Sequence, residues 1–402
     1  MSAVEIYPDI FWVGVNDRTT DLFEGLWPIT QEGVSYNAYL VRDERSAIID
    51  LVKSFKVDEF LEQVAELIDL RSIDWIVLNH LEPDHTGILR TLLRIAPQAI
   101  ILTTEKGKEM LGTFYGIREQ VRAVADGETI SLGRHRLQFF HTPFVHWPET
   151  MMTYEPANRI LFSCDGFGGY GALRGALFDD QCSDLAYYER EALRYYANIV
   201  ARFSRMVLRA IEKLSDLPIA AIAPSHGLIW RKDPGRIIEL YRRWAGYATG
   251  PGEPEVTLLY GSMYGNTEKM MNAVAQGISG QGVPVEIFDV TRTHVSYLLP
   301  SLWTRAGVMV GAPTYEGALF PPMAHVLDVA HRKGVRNRRV ARFGSYGWSG
   351  GAQKEFERLA AELGWEVVDS FEFVGAPTEE ELRRGQEFGA AFARAVAGPS
   401  AL

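Results

Sequence analysis

The most restrictive feature of this chain is the segment from Asn79 to Gly87, which reads Asn-His-Leu-Glu-Pro-Asp-His-Thr-Gly. It follows the apolar run Trp75–Leu78, which is typical of a buried strand. Pro83 rules out a regular helix through the segment, so we expect a turn at the end of a strand. Such a turn can direct four metal-binding side chains into one space: His80, Glu82, Asp84 and His85.

The side chains of this segment also restrict the kind of metal. Imidazole and carboxylate groups without a thiolate suit a hard or borderline ion such as iron, manganese or zinc. The alternative is a solvated acidic loop that contains two incidental histidines.

Length, charge and cysteine content exclude several classes of protein. A chain of 402 residues has room for two or three domains, and its net charge of -10 argues against general affinity for nucleic acid. Only Cys164 and Cys182 are present, which excludes a disulfide framework and favours a reducing compartment. The first residues lack the pattern of a secretory signal, and no apolar run approaches the roughly 18 residues of a membrane helix. We therefore expect a cytoplasmic protein that binds neither membrane nor nucleic acid.

A Gly/Pro-rich segment at residues 247–254 predicts a boundary between two α/β domains, residues 1–250 and 251–402. The first domain shows short strands, among them Ser35–Val41, and later a long helical pattern over about Ala186–Leu214. The second alternates predicted strands (256–260, 285–290, 307–311, 339–344 and 365–369) with helices (267–276, 322–331, 351–363 and 378–396). That alternation predicts a doubly wound parallel sheet.

Three more candidate ligands follow predicted strands in the first domain: His146, Asp165 and His226. With the four ligands of the opening segment they make seven, which can serve two metals if one carboxylate bridges. Asp165 stands alone at its strand end and is the natural bridge. The other two histidines before the boundary, His135 and His141, are interpreted as structural or solvated.

The ligand spacing His80-x-Glu82-x-Asp84-His85, with His146, Asp165 and His226 later in the chain, resembles the metallo-β-lactamase fold family. Glu82 stands where the dizinc hydrolases of that family usually have histidine, and a carboxylate there moves the preference toward iron. This variant, followed by a flavodoxin-like domain, resembles the flavodiiron proteins over essentially the whole chain. The resemblance implies a layered αββα metallo-β-lactamase-like domain followed by a flavodoxin-like doubly wound sheet.

The same resemblance implies the division of the ligands. His80, Glu82 and His146 would hold one iron, Asp84, His85 and His226 would hold the other, and Asp165 would lie between them. We expect no catalytic residues beyond these metal ligands.

Three loops of the second domain are candidates for binding FMN. The first follows the strand that ends at Tyr260 and opens a helix, where free N–H groups attract a phosphate, and it resembles the flavodoxin loop for the single phosphate of FMN. The alternatives are an ordinary hydroxyl-rich turn and ordinary aromatic loop packing. The candidate residues are, in the first loop, Ser262, Met263, Tyr264, Gly265, Asn266 and Thr267; in the second, Pro313, Thr314, Tyr315, Glu316, Gly317 and Ala318; and in the third, Ser345, Tyr346, Gly347, Trp348, Ser349 and Gly350.

A basic run stands out against the acidic total. It comprises Arg332, Lys333, Arg336, Arg338 and Arg339, with Arg342 just beyond. Such runs are most often solvated surface; the alternative is a docking patch for an acidic electron donor.

The resemblance implies an oxidoreductase in which FMN passes electrons to a diiron centre. Dioxygen would be reduced to water with four electrons, or two nitric oxide molecules to nitrous oxide with two. A separate donor is needed, either rubredoxin or a reduced deazaflavin coenzyme, and a head-to-tail homodimer or a dimer of dimers is implied. The alternatives are a dizinc hydrolase fused to a regulatory flavodoxin module and an electron carrier with an inert first domain.

Overall fold

A computed structural model gives the structure of the protein, and it describes residues 2–398. The chain divides into two compact units between Ala245 and Gly246. Within the described residues, no helix combines the length and the apolar character that crossing a lipid bilayer requires.

The described residues of the first unit form sixteen strands and seven α-helices. The strands are β1 (Val4–Tyr7), β2 (Ile10–Trp12), β3 (Val15–Asp17), β4 (Leu22–Phe23), β5 (Trp27–Pro28), β6 (Val34–Tyr36), β7 (Tyr39–Val41), β8 (Ser46–Ile49), β9 (Ile73–Val77), β10 (Ile100–Thr103), β11 (Val121–Ala123), β12 (Thr129–Ser131), β13 (Arg136–His141), β14 (Met151–Glu155), β15 (Ile160–Cys164) and β16 (Ala221–Pro224). The helices are α1 (Val57–Ala65), α2 (Pro83–Thr86), α3 (Leu89–Ile95), α4 (Glu105–Phe114), α5 (Leu185–Tyr195), α6 (Ser204–Lys213) and α7 (Pro234–Gly246).

Two sheets share the core of this unit. One has the order β1-β2-β7-β8-β9-β10-β11 and the other the order β12-β13-β14-β15-β16. Ile49 and Leu102 of the first sheet belong to the same buried cluster as Phe139 and Phe162 of the second, so the sheets pack face to face. The predicted layered fold is confirmed, because burial of one apolar face on each sheet requires such a partner.

Three local predictions for this unit differ in detail from the structure. The turn expected after β9 includes a single helical turn, α2, which begins at Pro83, a position where the missing N–H of proline breaks no helical hydrogen bond. The predicted strand Ser35–Val41 is two strands, β6 and β7. The predicted helix 186–214 is interrupted by a π-helical stretch, Tyr196–Val200, and a 3₁₀ turn, Ala201–Phe203. Asn, Ile and Val within the π-helical stretch have low helix propensity, which favours a break there.

Up to residue 398, where the described part of the chain ends, the second unit has seven strands and five helices. The strands are β17 (Glu253–Tyr260), β18 (Val285–Asp289), β19 (Arg305–Gly311), β20 (Thr314–Tyr315), β21 (Ala318–Leu319), β22 (Arg339–Tyr346) and β23 (Glu366–Val374). The helices are α8 (Asn266–Ser279), α9 (Val295–Thr304), α10 (Pro321–Lys333), α11 (Ala352–Leu363) and α12 (Glu379–Ala397).

A five-stranded sheet with the order β18-β17-β19-β22-β23 organises this unit, and every neighbouring pair in it is parallel. The predicted doubly wound sheet is therefore confirmed, and the carboxyl ends of its strands meet at one edge. Helix α9 was not predicted, because Pro300 lies inside it and proline usually ends a helix. The predicted linker also ends earlier, since β17 already begins at Glu253 and carries Pro254 near its start, a position that tolerates proline.

The predicted basic surface is wrong at two of its arginines, Arg338 and Arg342, whose side chains are buried. The Arg338 guanidinium donates to the carbonyl oxygens of Leu302 at 3.0 Å and of Trp303. Both carbonyls lie in the last turn of α9, so the cation compensates the negative end of that helix. Burial nevertheless lowers the pKa of Arg338 to about 10. The run is therefore neither a continuous docking patch nor simply solvated surface.

Candidate metal centre and cofactor cleft

The seven predicted metal ligands converge on one space in the first unit. They are delivered by the ends of consecutive elements: His80 follows β9, Glu82 precedes α2, and Asp84 and His85 lie within α2. The single turn of α2 places Asp84 and His85 next to Asp165 and His226. His146 comes from the loop between β13 and β14, Asp165 follows β15, and His226 follows β16.

Asp165 lies at the centre of the group, and its two carboxylate oxygens face different histidines. Oδ2 lies 3.4 Å from Nε2 of His80 and 3.3 Å from Nε2 of His146. Oδ1 lies 3.1 Å from Nε2 of His85 and 3.3 Å from Nε2 of His226. One carboxylate therefore separates two pairs of imidazoles, as a bridge between two metal positions requires.

Each pair of histidines has a second carboxylate of its own. Oε2 of Glu82 lies 3.3 Å from Nε2 of His80 and 3.2 Å from Nε2 of His146. Asp84 lies between the other two, with Oδ1 3.5 Å from Nε2 of His85 and Oδ2 3.4 Å from Nε2 of His226. Within the group His80, Glu82, His146 and Asp165, and within the group Asp84, His85 and His226, the ligand atoms lie within 4.8 Å of one another.

Several of these ligand atoms are buried without a hydrogen-bond partner in the described part of the chain: both carboxylate oxygens of Asp84, both of Asp165, and Nε2 of His85 and His226. Leaving charged oxygens buried and unpaired is costly, and a cation at the point they face removes that cost. Four imidazoles and three carboxylates without a thiolate in the two groups suit iron. The residues therefore fit a pair of iron ions.

Hydrogen bonds behind the ligands orient two of the histidines. Nδ1 of His80 lies 2.7 Å from Oε1 of Glu149, which also accepts from the backbone N–H of Leu81 at 3.0 Å. Nδ1 of His226 donates to the carbonyl oxygen of Ser35 at 2.7 Å, which leaves Nε2 free for a metal. Glu149 was not predicted; the one signal for it is an acidic residue three positions after His146 in the same loop. A backbone carbonyl such as that of Ser35 leaves no sequence signal.

The carboxylates and imidazoles of the cluster shift one another's pKa values. Burial raises the pKa of the Asp165 carboxyl, but the surrounding histidines outweigh burial and hold the pKa well below its ordinary value. Burial lowers the pKa of His146, but the neighbouring carboxylates of Asp165 and Glu82 outweigh burial and raise the pKa to about 9. Burial also lowers the pKa of His226, but the carboxylates of Asp165 and Asp84 outweigh burial and raise the pKa to about 10.

Aromatic rings surround the cluster. The ring of Trp147 lies 5.0 Å from that of His80, and Phe23 and Tyr195 each lie 5.5 Å from His226. Phe114, whose ring is 5.9 Å from Trp147, is 60% exposed. The polar ligands thus lie in a largely apolar surrounding that reaches the surface at Phe114.

A cleft of about 620 Å³ opens at the carboxyl edge of the parallel sheet in the second unit. Its lining residues are Met263, Tyr264, Asn266, Pro313, Thr314, Tyr315, Glu316, Gly317, Ser345, Tyr346, Gly347, Trp348, Ser349 and Gly375. All three predicted loops contribute, and Gly375, which follows β23, is an addition. The predicted residues that do not line the cleft are Ser262, Gly265, Thr267, Ala318 and Gly350.

Three of these non-lining residues shape the first loop. Gly265 precedes α8 with a φ of 86°, a left-handed conformation that favours glycine, and its N–H donates to Oγ of Ser262 at 3.0 Å. Thr267 is buried, with its Oγ1 3.3 Å from Oγ of Ser345 in the third loop. The loop opens a helix of 14 residues, whose first N–H groups can bind a phosphate.

The cleft suits a flat aromatic cofactor with one phosphate. Tyr264 is 88% exposed and Trp348 is 95% exposed, so two aromatic faces stand at its rim without cover. A second cavity of about 620 Å³, lined by Arg338, Arg339 and Glu366 among others, opens where β19 and β22 begin. Doubly wound folds bind ligands at the carboxyl edge, so the first cleft is the candidate cofactor site.

Comparisons with known proteins cover both units. A family model described as ODP family beta lactamase matches residues 34–227, and the flavodoxin model matches residues 258–388. The chain is 35% identical over 401 residues to a nitric oxide reductase of Moorella thermoacetica, covering 98% of this chain and 99% of the relative.

Two solved structures are similar over almost the whole chain. The rubredoxin oxygen:oxidoreductase of Desulfovibrio gigas matches with a TM-score of 0.92 and 29% identity, covering 98% of each chain. The flavodiiron protein of Giardia intestinalis matches with a TM-score of 0.92 and 30% identity, covering 98% of this chain and 97% of the other.

Proposed function

The chain belongs to the flavodiiron protein family, and from this membership we propose that it reduces nitric oxide, dioxygen or both at a diiron centre supplied with electrons by FMN. The protein is an oxidoreductase, since its relatives are named for reduction reactions. The observation that carries the diiron proposal is the position of Asp165, whose two oxygens face separate groups of ligands.

The proposed ligands divide around Asp165. His80, Glu82 and His146 would bind one iron, Asp84, His85 and His226 would bind the other, and Asp165 would lie between them. When bound, the two irons would supply the electrons that reduce a small diatomic molecule. The chain's own contribution is orientation and charge: Glu149 orients His80, the Ser35 carbonyl orients His226, and three carboxylates offset the charge of the metals.

FMN is proposed to bind in the cleft of the second unit. Its phosphate would lie at the start of α8, within the turn Ser262–Thr267, and its ring between the loops that carry Tyr315 and Trp348. The first loop offers donors for one phosphate and lacks the glycine pattern of a pyrophosphate site. Acid release of the flavin followed by chromatography tests the assignment, because recovery of FAD would refute it.

Two reactions are compatible with the proposed site. Two nitric oxide molecules take two electrons and two protons and yield nitrous oxide and water; dioxygen takes four electrons and four protons and yields two waters. The relatives carry names for each reaction, nitric oxide reductase in one case and rubredoxin oxygen:oxidoreductase in the other. Anaerobic rapid mixing of the reduced protein with each gas separately gives both rates and decides between them.

The electrons are proposed to come from a separate donor, either rubredoxin or a reduced deazaflavin coenzyme. The name of the similar Desulfovibrio gigas enzyme, rubredoxin oxygen:oxidoreductase, supports a rubredoxin donor by analogy. Flavin reduction by each donor, followed by its absorbance under anaerobic conditions, separates the two. A cytoplasmic location is proposed on the free thiols of Cys164 and Cys182, which suit a reducing compartment.

A head-to-tail homodimer, alone or within a dimer of dimers, is also proposed. Exposed aromatic side chains lie near each proposed site: Phe114 packs on Trp147, which contacts His80, and Tyr264 and Trp348 line the flavin cleft. Exposed aromatic residues of this kind are enriched in protein interfaces. Sedimentation velocity over a range of concentrations tests the proposal, and a monomer throughout would contradict it.

The alternative of a dizinc hydrolase fused to a flavodoxin module has less support. If the protein were a hydrolase, its relatives would be expected among hydrolases. The similar proteins named above are a reductase and an oxidoreductase. Metal analysis of protein produced with ample iron separates the two functions. We expect about two irons per chain, and two zincs would favour the hydrolase.

A further inference from the structure

Arg342 is a buried cation in the second unit that neither proposed site uses. It lies on β22, and none of its side chain is exposed. Burying a guanidinium is costly unless it is paired and hydrogen-bonded, so the groups that it contacts indicate its role.

The guanidinium contacts three different elements. Its Nη1 donates to Oε1 of Glu372 at 2.8 Å and to Oε1 of Gln353 at 3.1 Å. Its Nη2 donates to the carbonyl oxygen of Ala312 at 3.0 Å. Its Nε is buried and has no hydrogen-bond partner among the described residues.

These partners lie at the bases of the structures that line the cleft. Ala312 follows β19 and begins the loop that carries Tyr315, and Gln353 lies in the first turn of α11, directly after the loop that carries Trp348. Glu372 pairs with Gly344 across β22 and β23. One side chain therefore connects both cleft loops to the strand that leads to Gly375.

Close backbone contacts transmit this connection to the cleft. A Cβ on Gly344 would lie 1.9 Å from the carbonyl oxygen of Ala312, and a Cβ on Gly351 would lie 2.0 Å from that of Gly317. The loops therefore pack against each other without room for a side chain, and a shift at Ala312 displaces both of them.

The positive charge of Arg342 is only partly offset by the negative charge of Glu372. Glu372 is 27% exposed, whereas Arg342 is not exposed, so water screens the carboxylate more than it screens the cation. A buried charge acts through a medium of lower dielectric constant and over a longer distance than an exposed one. Reduced FMN carries a negative charge on its ring near neutral pH, while the ring of oxidised FMN is neutral.

We propose that Arg342 is a positioning residue of the flavin site, which holds the two cleft loops together and favours the negatively charged reduced flavin over the oxidised flavin. The inference rests on the proposed binding of FMN in this cleft. It predicts opposite effects for the two members of the pair: removing the carboxylate favours the reduced flavin, and removing the cation disfavours it.

The test is the two-electron midpoint potential of bound FMN, measured by equilibrium reduction against a reference dye. Glu372→Gln should make the potential more positive and Arg342→Met more negative, while Arg342→Lys should lie close to the unmodified protein. We expect the ratio of reduced to oxidised affinity to change about tenfold, which is about 30 mV for a two-electron couple. Arg339→Met is the matched control, because Arg339 lies on the same strand but is exposed and pairs with Glu366.

A merely structural role would weaken the binding of oxidised and reduced FMN equally and leave the potential unchanged. Equal potentials for Glu372→Gln and the unmodified protein overturn the inference, and this comparison stands even if Arg342→Met fails to fold. Failure of the unmodified metal-loaded protein to bind added FMN would instead refute the proposed flavin site. The two failures are therefore distinguishable.

Discussion

Nδ1 of His80 lies 2.7 Å from Oε1 of Glu149, and both side chains are fully buried. Because Nδ1 is engaged in this way, Nε2 of His80 faces Asp165 and Glu82. A carboxylate behind a metal-binding histidine fixes the ring orientation and raises its basicity as a ligand. Glu149 thus acts on the proposed metal centre through His80.

Glu149→Gln should weaken metal binding by roughly 10–100-fold, the usual cost of changing such a partner. Chelator competition on the folded protein measures this affinity. Glu155→Gln is the matched control, because Glu155 is also buried and lies 3.1 Å from Nδ1 of His135, away from the cluster. Equal metal affinity in both variants would contradict the role of Glu149.

Asp165→Ala should remove more metal than the loss of any single terminal ligand, because a bridge serves both ions. The comparison is with Glu82→Ala and Asp84→Ala, each of which touches one group of histidines. Metal content per chain after gel filtration gives the result. Full retention of two irons by Asp165→Ala would exclude the bridging assignment.

Metal loading should release protons near pH 7. In the metal-free protein the pKa is about 9 for His146 and about 10 for His226, so both rings are protonated and must lose a proton to bind through Nε2. Apparent metal affinity should therefore fall as the pH is lowered. The raised pKa values also add to the free energy of unfolding of the metal-free protein. This contribution is complete below about pH 6.5, the pKa of an unfolded-state histidine, and it is lost as the pH rises through about 9–10.

Anaerobic addition of Fe²⁺ to weakly buffered metal-free protein, followed with a pH indicator, measures these protons. Asp165→Ala is the control, since this variant should bind less metal and release fewer protons. Metal binding without proton release would show that the histidines are already neutral.

Thr267→Val should weaken FMN binding and leave the iron content unchanged. The substitution preserves the shape of this buried side chain but removes the hydroxyl that lies 3.3 Å from Oγ of Ser345. Flavin fluorescence quenching gives the affinity for FMN, and metal analysis gives the iron. Unchanged flavin affinity would exclude Thr267 from the phosphate site.

Arg338→Met should lower the free energy of unfolding by about 1–3 kcal/mol, because the substitution removes the guanidinium that donates to the buried carbonyls of Leu302 and Trp303 in the last turn of α9. Arg332→Met is the control: its side chain is 72% exposed and pairs with Asp328, so the loss should be about 0–1 kcal/mol. Urea unfolding measures both. Equal losses would mean that Arg338 does not cap α9.

The fold and the candidate ligands could be predicted because they depend on patterns in the chain. Alternating strands and helices determine a parallel sheet, and polar residues at strand ends determine its ligand-binding edge. Asp165 is an example, because it is a polar residue that directly follows a strand, β15.

Features that depend on tertiary contacts could not be predicted. In the sequence Glu149 looks like any surface acid, and its contacts with His80 and with the Leu81 N–H exist only in the fold. Arg338 and Arg342 look like the exposed arginines beside them, and only the carbonyls and carboxylates they meet in the fold make their burial possible. Helix α9 forms despite Pro300 because Leu298, Leu299 and Leu302 are buried in the core.

The most direct test of the proposed function mixes the fully reduced protein, loaded with FMN and iron, with nitric oxide or dioxygen in an anaerobic stopped-flow instrument. Asp165→Ala loaded with FMN is the comparison, because it should retain the flavin and lose the iron. We expect the unmodified protein to reoxidise its flavin much faster than the variant with at least one of the gases, and to form nitrous oxide or water in the matching amount. Equal flavin reoxidation rates in the two proteins with both gases would contradict electron transfer through a diiron centre.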